Sequence, residues 1–74
     1  MDPLLSRITF EADKNGGRAS IRNMRIRVTD VLGMLAAGDS TGDILEGFPD
    51  LEADDVRACL AYAAGVTGDT AILA

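Results

Sequence analysis

The chain has 74 residues, a net charge of −5, one cysteine and no histidine. A chain this short forms one domain, residues 1–74, whose small core leaves no room for an enclosed catalytic pocket. One cysteine excludes an internal disulfide framework, and the lack of histidine excludes the usual zinc and iron sites. We therefore expect no enzymatic activity, no metal and no cofactor. No apolar run reaches the roughly 20 residues of a membrane span, and a signal peptide is not evident, so we expect a cytoplasmic protein without a membrane partner.

The charge is distributed unevenly along the chain. Residues 1–27 carry six basic and three acidic side chains, whereas residues 28–74 carry one basic and nine acidic side chains. A basic beginning and an acidic body suggest two different kinds of neighbour. The alternative is that the acidic residues form a solvated surface that keeps a small protein in solution.

Segment 7–28 predicts a small β-hairpin region of two or three short strands. In SRITF, residues 6–10, Ile8 and Phe10 alternate with polar residues, which is typical of a strand. Asn-Gly-Gly at residues 15–17 then predicts a turn.

The stretch ASIRNMRIRV, residues 19–28, predicts a hairpin around Asn23-Met24. In this register Arg22 lies opposite Arg25, and opposed residues share a face of the sheet. One face then holds Ala19, Ile21, Ile26 and Val28, and the other holds Ser20, Arg22, Arg25 and Arg27. Asn23 tolerates the positive φ that such a turn needs, whereas Met24 has no turn preference.

Residues 29–65 predict three helices. Thr29 is expected to cap the first helix, and Gly38 is expected to end it. Ser40 and Asp43 have the spacing of a capping box for the second helix. That helix is expected to end at Gly47-Pro49, and the third is expected to begin in the acidic run at 52–55 and to end at Gly65. Residues 66–74 form a short tail.

The order of these elements predicts a mainly α fold with a small β part. An N-terminal β-hairpin precedes a three-helix core whose second and third helices have the layout of a helix-turn-helix. Gly33, inside the first helix, is expected to cost about 1 kcal/mol relative to alanine unless another backbone packs against it.

The third helix is apolar almost all round between residues 58 and 64. A helix in a small domain needs only one apolar stripe, and Val56, Cys59, Leu60 and Ala63 supply it. The remaining apolar residues predict an association surface for a homodimer or another partner, formed by Ala58, Ala61 and Tyr62. The alternative is that the alanines only favour helix formation. Cys59 is expected to be a buried apolar residue, because no histidine is present to activate it.

The basic residues of the hairpin are the candidate binding residues: Arg18, Arg22, Arg25 and Arg27. Two opposed arginines repel each other unless an anion lies nearby. That anion is either supplied by a partner, as phosphate or carboxylate, or by this chain through Glu11, Asp13 or Asp30. Base reading by the third helix is disfavoured, because its acidic start would face the phosphates.

Several motifs together resemble the family called domain of unknown function 433. They are the strand ITF, the Gly-Gly turn, IR followed by RIRV, VLGMLAAG, FPDL and DVRACLAYAAG, within residues 7–65. The resemblance implies a homeodomain-like helix-turn-helix and an antitoxin-like role in a bacterial toxin–antitoxin pair. It also implies that the partner is a toxin resembling PIN-domain ribonucleases, whose sites are clustered acidic residues around a metal. Binding of operator DNA as a dimeric repressor is the alternative function.

Overall fold

The computed structural model describes residues 3–11 and 17–67. A 3₁₀ helix (Pro3–Arg7) leads into β1 (Ile8–Thr9), and β2 (Ser20–Ile21) follows. Three helices complete the described chain: α1 (Val28–Ala36), α2 (Thr41–Gly47) and α3 (Ala53–Thr67). The predicted fold, mainly helical with a small N-terminal β part, is confirmed. The predicted turn at 15–17 lies outside the described residues except for Gly17. The predicted tail, 66–74, lies outside them except for its first two residues, which belong to α3.

β1 and β2 form an antiparallel sheet. Ile8 pairs with Ile21, and Thr9 pairs with Ser20. The first strand is shorter than the alternating pattern suggests, because Arg7 ends the 3₁₀ helix. The pairing places Ile8 and Ile21 side by side on the core face, where Ile21 is fully buried. This sheet therefore anchors the N-terminal segment to the hydrophobic core.

The other edge of β2 contacts residues 26–28. The amide of Ile21 donates to the carbonyl of Ile26 at 3.0 Å, and the amide of Val28 donates to that of Ala19 at 3.0 Å. A single antiparallel bridge between Ser20 and Arg27 lies between these bonds. The predicted opposition of residues 19–21 with 26–28 is confirmed, so β2 has neighbours on both sides.

The turn of this hairpin lies one residue earlier than predicted. Its central residues are Arg22 and Asn23, with φ of 44° and 62°, and the Met24 amide donates to the Ile21 carbonyl at 2.7 Å. Two successive positive φ angles are typical of a type I′ turn. The prediction that Arg22 faces Arg25 across a strand pair is therefore wrong. The Arg22 amide instead donates to the Arg7 carbonyl at 2.8 Å, beside β1.

α1 begins two residues earlier than a cap at Thr29 predicts, at Val28, so Thr29 is not its N-cap. Arg27 occupies that position with extended backbone angles. Its amide donates to Oδ2 of Asp30 at 3.1 Å, which satisfies a donor at the helix start. The carboxylate of Asp30, the third residue of α1, thus caps the helix.

α1 ends at a Schellman motif around Gly38, which confirms that this glycine terminates the helix. Gly38 has φ of 103°, a value that favours glycine. Its amide donates to the Leu35 carbonyl at 3.0 Å, and the Asp39 amide donates to the Met34 carbonyl at 3.0 Å.

The capping box predicted for α2 is confirmed. The Asp43 amide donates to Oγ of Ser40 at 3.1 Å, and the Ser40 amide donates to Oδ2 of Asp43 at 2.9 Å. These bonds lower the pKa of the Asp43 carboxyl. The predicted end of α2 at Gly47 is also confirmed. By contrast, α3 continues past Gly65 to Thr67, so the predicted end of that helix is wrong.

The core lies between the sheet and the three helices. Its buried members are Ile21, Val28, Val31, Ile44, Leu51, Val56 and Cys59. Cys59 is fully buried, as predicted. Burial, together with the nearby negative charge of Asp55, raises the pKa of its thiol to about 11.

Ala58 is also fully buried, which corrects its assignment to an exposed association surface. The cause is the N-terminal 3₁₀ helix, which packs against α3. Arg7, at the end of that helix, is bound to Asp55, one turn before Ala58. The second apolar face of α3 is therefore covered in part by this chain itself.

Gly33 and Gly38 provide an opposed pair of stability tests. A Cβ added at Gly33 meets no atom within 4 Å, so Gly33→Ala should raise the free energy of unfolding by up to about 1 kcal/mol through helix propensity. Gly38→Ala should lower that free energy by about 1 kcal/mol, because alanine disfavours a positive φ. Urea denaturation followed by circular dichroism measures both. A destabilising Gly33→Ala would contradict the open space seen beside this residue.

Candidate partner-binding surface

A buried carboxylate, that of Asp55 in the first turn of α3, binds two of the arginines. Arg22 donates from Nε to Oδ1 at 3.0 Å and from Nη2 to Oδ2 at 2.7 Å. Arg7 donates from Nη1 to Oδ1 at 3.0 Å. The amide of Glu52 donates to Oδ2 at 2.8 Å. Four hydrogen bonds thus hold one carboxylate whose side chain is 0% exposed.

The surroundings of Asp55 keep it ionised. Burial would raise the pKa of its carboxyl, but the hydrogen bonds from Arg22, Glu52 and Arg7 outweigh burial, and the pKa is lowered. The hydrogen bonds that Arg22 donates to Asp55 raise the pKa of the Arg22 guanidinium. Arg22 also donates to the backbone carbonyl of Asp50 at 2.8 Å. Its guanidinium is therefore occupied within the chain, by a carboxylate that the sequence did not indicate.

Arg27 is likewise bound within the chain. Its Nη2 lies 3.2 Å from Oδ1 of Asp30, which is one of the internal partners anticipated from the sequence. Burial would raise the pKa of the Asp30 carboxyl, but bonds from the backbone and side chain of Arg27 lower it. Arg27 thus contributes to the start of α1 and is less available to a partner.

Arg18 and Arg25 differ from these two arginines. Both are exposed, and within the described part of the chain no carboxylate lies within ion-pair distance of either side chain. The four candidate arginines therefore separate into two that hold the fold together, Arg22 and Arg27, and two that remain open to an anion.

Arg18 lies beside an apolar groove of about 480 Å³ between the sheet segment, α1 and α3. The groove is lined by Phe10, Gly17, Arg18, Ala19, Val28, Thr29, Leu32, Tyr62, Ala63 and Val66. Phe10 is 60% exposed and Val66 is 69% exposed, whereas Val28 is 2% exposed and closes the bottom of the groove. The large apolar side chains of Phe10 and Val66 are thus exposed to solvent at the rim of the groove.

The groove overlaps only partly with the predicted association surface. Tyr62 lines it, and its ring centroid lies 6.0 Å from that of Phe10. Ala61 is half-buried and does not line the groove, and Ala58 is inside the protein. Phe10 was missed because its alternation with Ile8 placed it in the core. Because β1 ends at Thr9, the alternation of the strand does not extend to Phe10.

The start of α3 is electrostatically balanced and does not offer a positive surface. Arg7 bonds to Glu52 at 2.7 Å as well as to Asp55, and Arg57 pairs with Asp54 at 3.2 Å. Such a cluster gives phosphates no net attraction. Among the residues described, no group of three or more acidic, cysteine or histidine side chains is placed to hold a metal ion. No helix in the described ranges is long and apolar enough to cross a bilayer.

Replacing Asp55 tests the importance of the buried carboxylate. Asp55→Asn should lower the free energy of unfolding by about 3 kcal/mol, because an amide cannot accept four hydrogen bonds from these donors. Arg22→Lys, which keeps the charge but loses the bidentate contact, should cost about 1 kcal/mol. The matched control is Asp54→Asn, whose exposed pair with Arg57 contributes less than about 1 kcal/mol. Equal effects at positions 54 and 55 in urea denaturation would refute the buried role.

The pH dependence of stability follows from the lowered pKa of Asp55. A depressed carboxyl pKa contributes stability that is fully present above its ordinary value of 3.8, and that contribution is lost as pH falls through the folded-state pKa. The free energy of unfolding should therefore be nearly constant between about pH 5 and 7 and should fall steeply below about pH 4. In Asp55→Asn, the fall in the free energy of unfolding below pH 4 should be less steep. An equally steep fall in the variant would assign the pH dependence to other carboxylates.

Comparisons with known proteins identify the same family as the sequence motifs. Residues 8–63 match the family described as "Protein of unknown function (DUF433)". The chain is 38% identical over 56 residues to the "Uncharacterized protein y4eO" of Sinorhizobium fredii (strain NBRC 101917 / NGR234). The match covers 76% of this chain but only 25% of that relative, so the chain spans about a quarter of its length. No solved structure matches. Since the family match covers most of the chain, the protein belongs to the DUF433 family.

Proposed function

We propose that this protein is an antitoxin-like binding module that neutralises a PIN-like ribonuclease toxin in the bacterial cytoplasm. The observation that carries the proposal is the apolar groove with exposed Phe10 and Val66 at its rim. Apolar side chains in solvent mark sites of contact with other proteins, because their burial contributes about 25 cal/mol per Å². The resemblance to antitoxin-like proteins supports the choice of a toxin as that protein.

The open arginines support the same partner class. A toxin of the PIN-like type has clustered acidic residues in its site, as the resemblance implies. Arg18 and Arg25 are exposed guanidinium groups, which bind carboxylates in a bidentate manner. An antitoxin that presents these cations while it buries an apolar rim would occlude such a site. The buried thiol of Cys59 fits a reducing compartment.

Operator binding is the second candidate function. It rests on Arg25, which lies in the hairpin turn segment with an exposed side chain. Two copies related by a dyad would present two such segments to DNA phosphates. The balanced start of α3 disfavours reading of bases by that helix, so any DNA contact is expected to be made by the hairpin. Homodimer formation stays a prediction.

Co-expression with the product of the neighbouring gene tests the proposed function. We expect a stable complex that relieves toxicity. Phe10→Ala should raise the Kd about ten-fold or more, as loss of an aromatic residue at the centre of an interface does. Leu5→Ala is the matched control, since Leu5 is 43% exposed and does not line the groove. A neighbouring product that is neither bound nor neutralised would refute the antitoxin role.

A gel shift with the upstream DNA distinguishes the second function. If the hairpin binds phosphates, the shift should weaken steeply with salt, and Arg25→Ala should abolish it. The absence of a shift at low salt would exclude the repressor role.

A further inference from the structure

We propose that the groove receives a segment of the partner in which an apolar side chain is followed closely by a carboxylate. Arg18 is the residue that selects the carboxylate. The inference rests on the proposed function, since it assumes a protein partner, and it defines the chemistry of the segment that this partner inserts. DNA is disfavoured as the occupant, because an apolar groove offers nothing to a phosphate backbone beyond the single charge of Arg18.

The groove is a preformed apolar seat. Its volume of about 480 Å³ falls in the range of pockets that bind small groups, about 300–1,000 Å³. Phe10 and Tyr62 contact each other with ring planes inclined by 51°, a tilted geometry that aromatic pairs favour. Two aromatic rings that already touch lose little freedom when a third apolar group joins them. The occupant is therefore expected to contribute an aliphatic or aromatic side chain.

The charge at the rim defines the second part of the occupant. Of the described residues that line the groove, Arg18 alone is charged. Its backbone carbonyl accepts a hydrogen bond from Oγ of Ser20 at 3.0 Å, which fixes the local backbone. Its side chain is exposed, with no carboxylate of the described chain within ion-pair distance. An exposed planar guanidinium beside an apolar groove can bind a carboxylate in a bidentate manner and repels a segment that carries a cation.

The charges around the groove define the orientation of the occupant. Arg18 supplies the positive charge, and the acidic first turn of α3, at Asp54, lies twelve residues before Val66, or about 18 Å along the helix. The C-terminal end of α3, near Val66, carries the negative end of the helix dipole. The carboxylate is therefore expected on the Arg18 side of the groove and the apolar group between Phe10 and Val66.

Three small probes with the same apolar part test this preference on the full chain. They are 4-phenylbutyrate, 4-phenylbutanamide and 4-phenylbutylamine, titrated while amide chemical shifts are recorded by NMR. We expect shifts at Gly17, Arg18 and Val66, with the carboxylate bound about three- to ten-fold more tightly than the amide and the amine bound most weakly.

Variants at the rim make the test specific to Arg18. Arg18→Gln should abolish the preference for the carboxylate while the amide still binds, and Arg18→Glu should reverse the preference in favour of the amine. Arg57→Gln is the matched control, because Arg57 is an exposed arginine that does not line the groove. This control should leave the preference unchanged.

The outcomes separate this inference from the proposed function. Absence of shifts at the groove with all three probes, or equal affinity for them, overturns the inference even if a toxin is bound through another surface. A carboxylate preference that depends on Arg18 supports the inference, even if the neighbouring gene product fails to bind. A toxin complex whose Kd is unchanged by Arg18→Gln also overturns it. Selection of operator DNA over acidic segments, measured by competition, would do the same.

Discussion

The buried carboxylate of Asp55 is the interaction on which the arrangement of this small protein depends. It joins the N-terminal 3₁₀ helix through Arg7, the hairpin turn through Arg22 and the start of α3 through Glu52. A domain of this size buries a modest apolar core, so few contacts fix the position of its N-terminal segment. A buried ion pair adds little net stability over apolar packing, but breaking it leaves an uncompensated charge. Asp55 therefore acts mainly by specifying where its three neighbours lie.

The internal ion pairs of Arg22 and Arg27 determine which of the candidate arginines are available for binding. The sequence brings four candidate arginines into one segment, and an internal carboxylate occupies each of two: Asp55 for Arg22 and Asp30 for Arg27. These two stabilise the turn and the start of α1. Within the described ranges, the candidate arginines without a carboxylate at ion-pair distance are Arg18 and Arg25, which are exposed and do not form a continuous basic face. Recognition by this pair is expected to be local and geometric, which suits carboxylates better than a long phosphate backbone.

Several features governed by short-range rules were predictable from the sequence. The alternation of residues 19–21 with 26–28 has a period of two, and the buried face of Ile21 and Val28 fixes the register. The capping box at Ser40 and the helix end at Gly38 follow from local hydrogen bonds and from one positive φ. Each of these depends on residues within about ten positions along the chain, where spacing alone is informative.

Features governed by contacts distant in sequence were not predictable in this way. Arg22 and Asp55 are 33 positions apart, and no spacing rule connects a turn residue with a helix start. Arg22 adopts a positive φ that its residue type disfavours, and from that turn position its side chain binds Asp55. The burial of Ala58 required a 3₁₀ helix that the sequence pattern did not suggest. The sequence pattern placed Phe10 on the same face as Ile8, but the strand has only two residues and ends before Phe10, so its alternation does not extend to that residue.

The ion pairs and the groove are connected by geometry. Arg7, bound to Asp55, lies three residues before Phe10, a distance of about 10 Å in extended chain. Asp55 lies seven residues before Tyr62, also about 10 Å along a helix. β1 and α3 therefore advance by equal lengths from the ion pair to the contact between the Phe10 and Tyr62 rings, and the two contacts hold strand and helix in register. The ion pair at Asp55 and the aromatic contact at Tyr62 thus lie about two turns apart on α3, and together they attach the N-terminal segment to that helix.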